Sequence, residues 1–112
     1  MIRSGQQKND SPILTYKGLT LNLVTKKAKR GDTEIALSLK EFSLLDYLLR
    51  NAEIVLTKQQ IIEHVWDYDA DILENNVEAF IGMLRKKIDK PFKQATYIQT
   101  MRGFGYKLEE QA

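Results

Sequence analysis

Cysteine is absent from this sequence, which excludes disulfides, thiol chemistry and thiolate metal sites and suits a reducing cytoplasm. No apolar run approaches the roughly 20 residues that a membrane span needs. The N-terminal stretch has no apolar core of the kind a secretory signal carries, so a cytoplasmic chain is expected. His64 is the single histidine, and it sits on a predicted helix, where a structural or solvent-facing role outweighs a catalytic one. No Ser/His/Asp order and no glycine-rich phosphate loop is visible, so neither an enzyme nor a cofactor is expected. Asp67, Asp69, Asp71 and Glu78 do fall at positions 1, 3, 5 and 12 of a calcium-loop template. Position 6 is Ile72, however, where the sharp turn needs glycine, so no metal is expected there either. Internal repeats and low-complexity tracts are also missing.

What is present is an ordinary globular composition over 112 residues, 43% hydrophobic and 29% charged, enough for one domain with a modest core. The net charge of +2 hides an uneven distribution: about +4 over residues 1–38, −5 over 39–74 and +3 over 75–112. A basic last third beside an acidic middle suits a nucleic-acid face and a separate surface turned elsewhere. Solvation of helix surfaces explains the charges equally well when they are taken alone.

Along the chain, residues 1–12 are polar and read as a flexible arm or linker, with the domain spanning 13–110. Ile13 to Tyr16 is β-prone and Lys17-Gly18 is a turn signal. Leu19, Leu21 and Leu23 alternate with Thr20, Asn22 and Val24, the period of a half-buried strand. Lys26 to Arg30 reads as a basic, exposed strand or loop, after which Gly31-Asp32 turns into Thr33 to Leu37. Ser38 and Glu41 form an S-x-x-E capping box that opens a first helix ending near Asn51. Phe42, Leu45, Leu48 and Leu49 line its buried face. Thr57 and Gln60 form a second box opening a shorter helix, with Ile61, Ile62, Val65 and Trp66 inward. Asp67 to Leu73 is an acidic loop. A third helix runs from about Asn75 to Ile88, and Pro91 keeps it from extending far. Thr96 to Thr100 and Tyr106 to Glu109 form a hairpin, with Gly103 and Gly105 supplying the turn. The fold class is α+β: an N-terminal antiparallel sheet, three helices and a C-terminal hairpin.

The last third carries the functional signal. On the third helix Val77, Phe80, Ile81, Leu84 and Ile88 share one side, which must pack inward. The opposite side carries Asn75, Ala79, Gly82, Met83 and Lys86, flanked by Glu78 and Arg85. Small residues at Ala79 and Gly82 allow the backbone close to a base edge, and Asn75 and Glu78 can hydrogen-bond bases or phosphates. Arg85, Lys86 and Lys87 can neutralise phosphates. An amphipathic core helix with a basic end that complements its own macrodipole reads the same residues without DNA. Arg102 lies at the hairpin tip, where it can enter a narrow A·T-rich minor groove or remain a solvated turn residue. Tyr106 reads as a core anchor. Phe104 reads equally as an exposed contact or as folded back on the sheet. Helix and hairpin in this order favour DNA over either bland reading. A protein-interaction module without a DNA target is the alternative, and the basic residues argue against it.

From about Ile13 to Glu109 the sequence resembles the DNA-binding effector domain of OmpR/PhoB-type two-component response regulators, a winged helix-turn-helix. The residues that carry the resemblance are Leu37-Ser38-x-Lys40-Glu41-Phe42-x-Leu44-Leu45, Val55-Leu56-Thr57, Val65-Trp66, Asn76-Val77-Glu78, Ile81, Leu84-Arg85-Lys86-Lys87-Ile88 and Thr100-Met101-Arg102-Gly103-x-Gly105-Tyr106. Singly they are weak, and jointly they are specific. The resemblance implies a transcriptional regulator that binds double-stranded promoter DNA. Its third helix would lie in the major groove, with Asn76 among its contacts, and its wing would place Arg102, beside Thr100, at the minor groove. It also implies an N-terminal sheet that can pack on the chain's own receiver domain in a longer regulator, and paired binding to tandem half-sites about one helical turn apart. The loop bearing Asp67, Tyr68, Asp69 and Asp71 would contact RNA polymerase. The sequence departs from the family where Asn75-Asn76 replace a frequent Arg-Thr, where Phe80 replaces histidine or tyrosine, and where Gly82 and Met83 stand in place of base-reading arginines. Ala79 and Met83 then offer apolar contact suited to thymine methyl groups, so a T-rich element and modest monomer affinity are expected.

Overall fold

In the computed structural model, residues 12–66, 74–92 and 95–111 are described, with side chains in the third helix from residue 76 onward. The polar arm therefore lies outside the described residues, as does the acidic Asp67 to Leu73 loop with its calcium-template aspartates and the expected polymerase contacts.

Four short strands form an antiparallel meander: β1 (Ile13–Tyr16), β2 (Leu19–Asn22), β3 (Lys27–Arg30) and β4 (Thr33–Ile35). Turns rather than long-range pairing set the register. Lys17 takes a left-handed conformation at φ 55° between β1 and β2, and Gly31 does so at φ 61° between β3 and β4. With the register fixed, alternation assigns the faces. Leu21 lies opposite Ala28, and Ala28 opposite Ile35, all three buried. Thr20, Lys29 and Glu34 occupy the outer face. Val24, expected on the strand, lies in the following turn and is 72% exposed.

The expectation that Lys26 to Arg30 is exposed throughout is corrected at two residues, Ala28 and Arg30. Arg30 shares the inner face of β3 with Ala28 and is buried, whereas Lys27 and Lys29 face outward. Strand parity turns it inward, and partners far along the chain satisfy its charge.

Three helices follow: α1 (Leu39–Arg50), α2 (Lys58–Val65) and α3 (Glu74–Ile88). Both capping boxes form. Ser38 Oγ accepts the Glu41 N–H at 3.2 Å and Glu41 Oε1 accepts the Ser38 N–H at 2.8 Å. Thr57 and Gln60 do the same at 3.0 and 2.9 Å. Each box satisfies amide donors that the first helical turn leaves unbonded. The apolar stripes then converge. Phe42, Leu45, Leu48 and Leu49 of α1, Ile61 and Val65 of α2, and Val77, Ile81, Leu84 and Ile88 of α3 are buried in one core with the inner face of the sheet. Trp66 closes this core edge-on to Phe80, with ring centroids 5.2 Å apart.

The C-terminal hairpin pairs β5 (Thr96–Met101) with β6 (Gly105–Gln111). Gly103, at φ 80°, sits in its turn. Gly105 has a different reason to be glycine. A Cβ on it would stand 2.0 Å from Leu56 O, because β6 also pairs with the α1–α2 connection. Leu56 and Tyr106 exchange both backbone hydrogen bonds, at 2.8 and 2.9 Å. The hairpin is thereby fixed to the helical core and not only to its own partner strand. At the other end Tyr16 OH donates to Glu53 at 2.7 Å and accepts from the Glu110 N–H at 3.1 Å, tying the first sheet to the second.

Candidate nucleic-acid interface

The side of α3 turned away from the core is presented to solvent. Ala79 and Lys86 are exposed, Met83 is 39% exposed and Gly82 is half-buried with nothing within 4 Å of where its Cβ would stand. Beside this face the hairpin turn carries an exposed Arg102, and Phe104 is 70% exposed. Phe104 thus points outward. Tyr106 is buried directly after Gly105, opposite Thr100, and that burial pushes its phenol up from the ordinary value. Between the start of α2, the flank of α3 and the hairpin lies an open cleft of about 760 Å³, with Lys58, Glu78, Arg85, Arg102 and Phe104 along its walls.

Within the cleft Lys58, Glu78 and Arg85 have partners. Lys58 Nζ lies 2.5 Å from Glu78 Oε2, so the carboxylate is neutralised by a neighbour on the previous helix. Arg85 donates to Ile98 O at 3.2 Å and to Thr100 Oγ1 at 2.5 Å. The basic run Arg85 to Lys87 is thereby divided three ways. Arg85 leans on the hairpin, Lys86 is exposed, and Lys87 donates to Glu41 Oε1 at 2.6 Å across to α1. Helical spacing accounts for this, since three successive residues point about 100° apart. Burial alone would raise the Glu41 carboxyl. The Lys87 ammonium and the Ser38 backbone N–H outweigh burial and hold it below the usual value.

Ala79, Gly82, Met83 and Lys86 thus share one open face. Glu78, Arg85, Thr100 and Arg102 line the adjoining cleft, and Lys87 lies against α1. Asn76 is half-buried near the start of α3, and the Asn75 side chain lies outside the described residues. Sequence reasoning missed Lys58 as a member of the site. Its signal was its place directly after the Thr57 cap, in the first turn of α2. Phe80, the expected departure from the family's histidine or tyrosine, is half-buried against Trp66. Among the described residues, no group of three or more acids or histidines could hold a metal ion, and no helix is long and apolar enough to cross a membrane.

A two-helix turn whose following helix presents small and basic residues, beside a β-hairpin with an arginine at its tip, defines a winged helix-turn-helix domain. Residues 32–108 match the family model described as "Transcriptional regulatory protein, C terminal", and the chain belongs to that family, the C-terminal domains of OmpR/PhoB-type response regulators. A curated relative, the response regulator MprA of Mycobacterium sp. (strain KMS), is 43% identical over 101 residues, 90% of this chain. The chain spans less than half of that relative, 44%. Among solved structures, the C-terminal domain of the nisin resistance regulator NsrR, a lantibiotic response regulator, is similar with a TM-score of 0.73 and 34% identity. The similarity covers 88% of this chain and 99% of that one. The DNA-binding domain of the response regulator AdeR, solved in complex with an intercistronic region, shares the fold at a TM-score of 0.74 and 23% identity, over 87% of this chain and 99% of that one.

Proposed function

We propose that this domain binds double-stranded promoter DNA, with α3 in the major groove and the β5–β6 wing at the adjacent minor groove, as the effector unit of a cytoplasmic two-component regulator. The observation that carries the reading is the shared cleft: the α3 flank and the Arg102 tip border one opening. That is the arrangement needed to straddle a phosphate ridge between two grooves. Phosphate contacts fix register while base edges confer choice. On α3 the base-facing positions are Ala79, Gly82 and Met83, with Lys86 as the exposed cation. Gly82 and Ala79 allow close approach, and Ala79 and Met83 suit thymine methyl groups. Asn75, Asn76, Glu78 and Thr100 supply polar contacts, and Arg102 supplies the minor-groove cation.

On this reading residues 1–12 are a linker arm and 13–110 the domain. A receiver domain belongs to the whole regulator, and two copies occupy tandem half-sites. The Asp67, Tyr68, Asp69 and Asp71 segment faces RNA polymerase, since its acidic character is unsuited to DNA. The complex of the AdeR domain with an intercistronic region supports the DNA assignment by shared fold. A salt-titrated binding assay on a site selected from random duplexes tests it. Affinity should fall steeply as salt rises. Absence of binding even at low salt would reject the DNA reading and leave a protein-interaction module.

A further inference from the structure

Arg30 is 7% exposed, and its guanidinium is directed to the junction between α3 and the wing. One Nη donates to Ile88 O, at the last residue of α3, at 2.6 Å. The other donates to Ala95 O, immediately before β5. Asp89 Oδ1 lies 3.6 Å away, and the rings of Phe92 and Tyr97 lie with centroids 4.5 and 4.7 Å from the guanidinium carbon. Asp89, itself 4% exposed, accepts the N–H groups of Tyr97 and Ile98 at 2.8 and 3.1 Å. Arg85, one turn earlier on α3, donates to Ile98 O. The residues that begin β5 are therefore held on their outer edge by the end of α3, and both ends of the α3–β5 connection are held by a side chain from β3.

Packing does not require an arginine at this position. A buried guanidinium is costly to desolvate, and an apolar side chain of similar volume serves a sheet as well. What the planar fork adds is direction, because its donors fix several acceptors relative to one another. We propose that Arg30 is a positioning residue for DNA binding. By holding Ile88 O, Ala95 O and Asp89 in one arrangement, it sets the spacing and angle between α3 and the wing, so that both reach their grooves at once. This rests on the DNA-binding reading above.

Arg30→Lys keeps the charge and loses the fork, and Arg30→Met keeps the bulk and loses both. The core site is first selected with the wild-type domain from a random pool. Each protein is then titrated with that core flanked by A·T-rich or by G·C-rich sequence, and with a scrambled core. Folding is checked by circular dichroism. The expected result for a folded variant is retained preference for the core with a flank preference reduced by a factor of about three or more. A variant that is folded and keeps the wild-type flank ratio overturns the proposal while leaving the DNA reading intact. A wild-type domain with no salt-dependent binding overturns that reading, and the proposal with it. Should neither variant fold, amide exchange on the wild type decides: the Tyr97 and Ile98 N–H groups should be protected as strongly as the β5–β6 ladder, and exchange at the rate of a frayed edge overturns the proposal.

Discussion

Lys87 on α3 and Glu41 at the start of α1 form a 2.6 Å ion pair in which the Glu41 side chain is 4% exposed and the Lys87 side chain 39% exposed. Glu41 Oε1 also accepts the Ser38 N–H of its capping box. One oxygen therefore joins α3 to the cap of the helix that packs behind it.

Lys87→Ala leaves that carboxylate buried with its cap partner alone. Because the ammonium is partly solvated, the expected loss of stability is modest, about 1 to 2 kcal/mol. Lys86→Ala, on the exposed face, should leave stability within about 0.5 kcal/mol and reduce the salt slope of DNA binding by about one unit. Thermal unfolding and salt titration of both variants separate the roles. An unchanged midpoint with a reduced salt slope for Lys87→Ala would show that Lys87 serves phosphate instead of Glu41.

The same pair sets a dependence on pH. The folded Glu41 carboxyl lies below its ordinary value, so its contribution is fully present above about 4.5, the unfolded value. That contribution is lost as pH falls through the lower folded value. Unfolding midpoints of the wild type should drop across this acid range more steeply than those of Glu41→Gln. Parallel curves for the two proteins would remove Glu41 as a contributor.

Two glycines should respond in opposite directions. Gly82→Ala meets open space and removes the backbone freedom of glycine from a helix interior, so a gain of about 0.5 to 1 kcal/mol in stability is expected. The added methyl stands on the open face of α3 proposed for the major groove, so DNA affinity should fall even as the domain becomes more stable. Gly105→Ala drives a Cβ to within 2.0 Å of Leu56 O at φ 149° and should cost more than about 3 kcal/mol. Urea unfolding and duplex titration check both. Unaltered affinity in Gly82→Ala would remove the close approach of α3 to bases.

Arg102 is exposed at the hairpin turn, so Arg102→Ala should leave stability within about 0.5 kcal/mol. Its effect should appear on DNA, as a loss that is larger with A·T-rich flanks than with G·C-rich flanks, because narrow A·T tracts concentrate negative potential. Equal losses on both flanks would assign Arg102 to a phosphate instead of a minor groove.

Local physics was legible in the sequence by itself. Ser38 with Glu41 and Thr57 with Gln60 lie three residues apart, so their capping boxes need no knowledge of the rest of the chain. The alternation of Leu19 and Leu21 fixed a sheet face, and the period of Val77, Ile81, Leu84 and Ile88 fixed a helix face, before any packing was known. From these came the order of elements, the α+β class and the open side of α3. Tertiary structure decided the fates of the charges. Arg30 looked like one more surface cation until β3 turned it inward to partners 58 and 65 residues away. The Arg85 to Lys87 run reads in the sequence as three like cations, and the fold gives Lys87 a partner on α1 46 residues away and Arg85 partners on the hairpin. Gly105 looked like a turn residue until Leu56 closed on it. The physical reason is common to all of these. Backbone preference and apolar periodicity are set by near neighbours in the chain, whereas a charge or a missing Cβ is given its role by whichever distant group the fold brings against it.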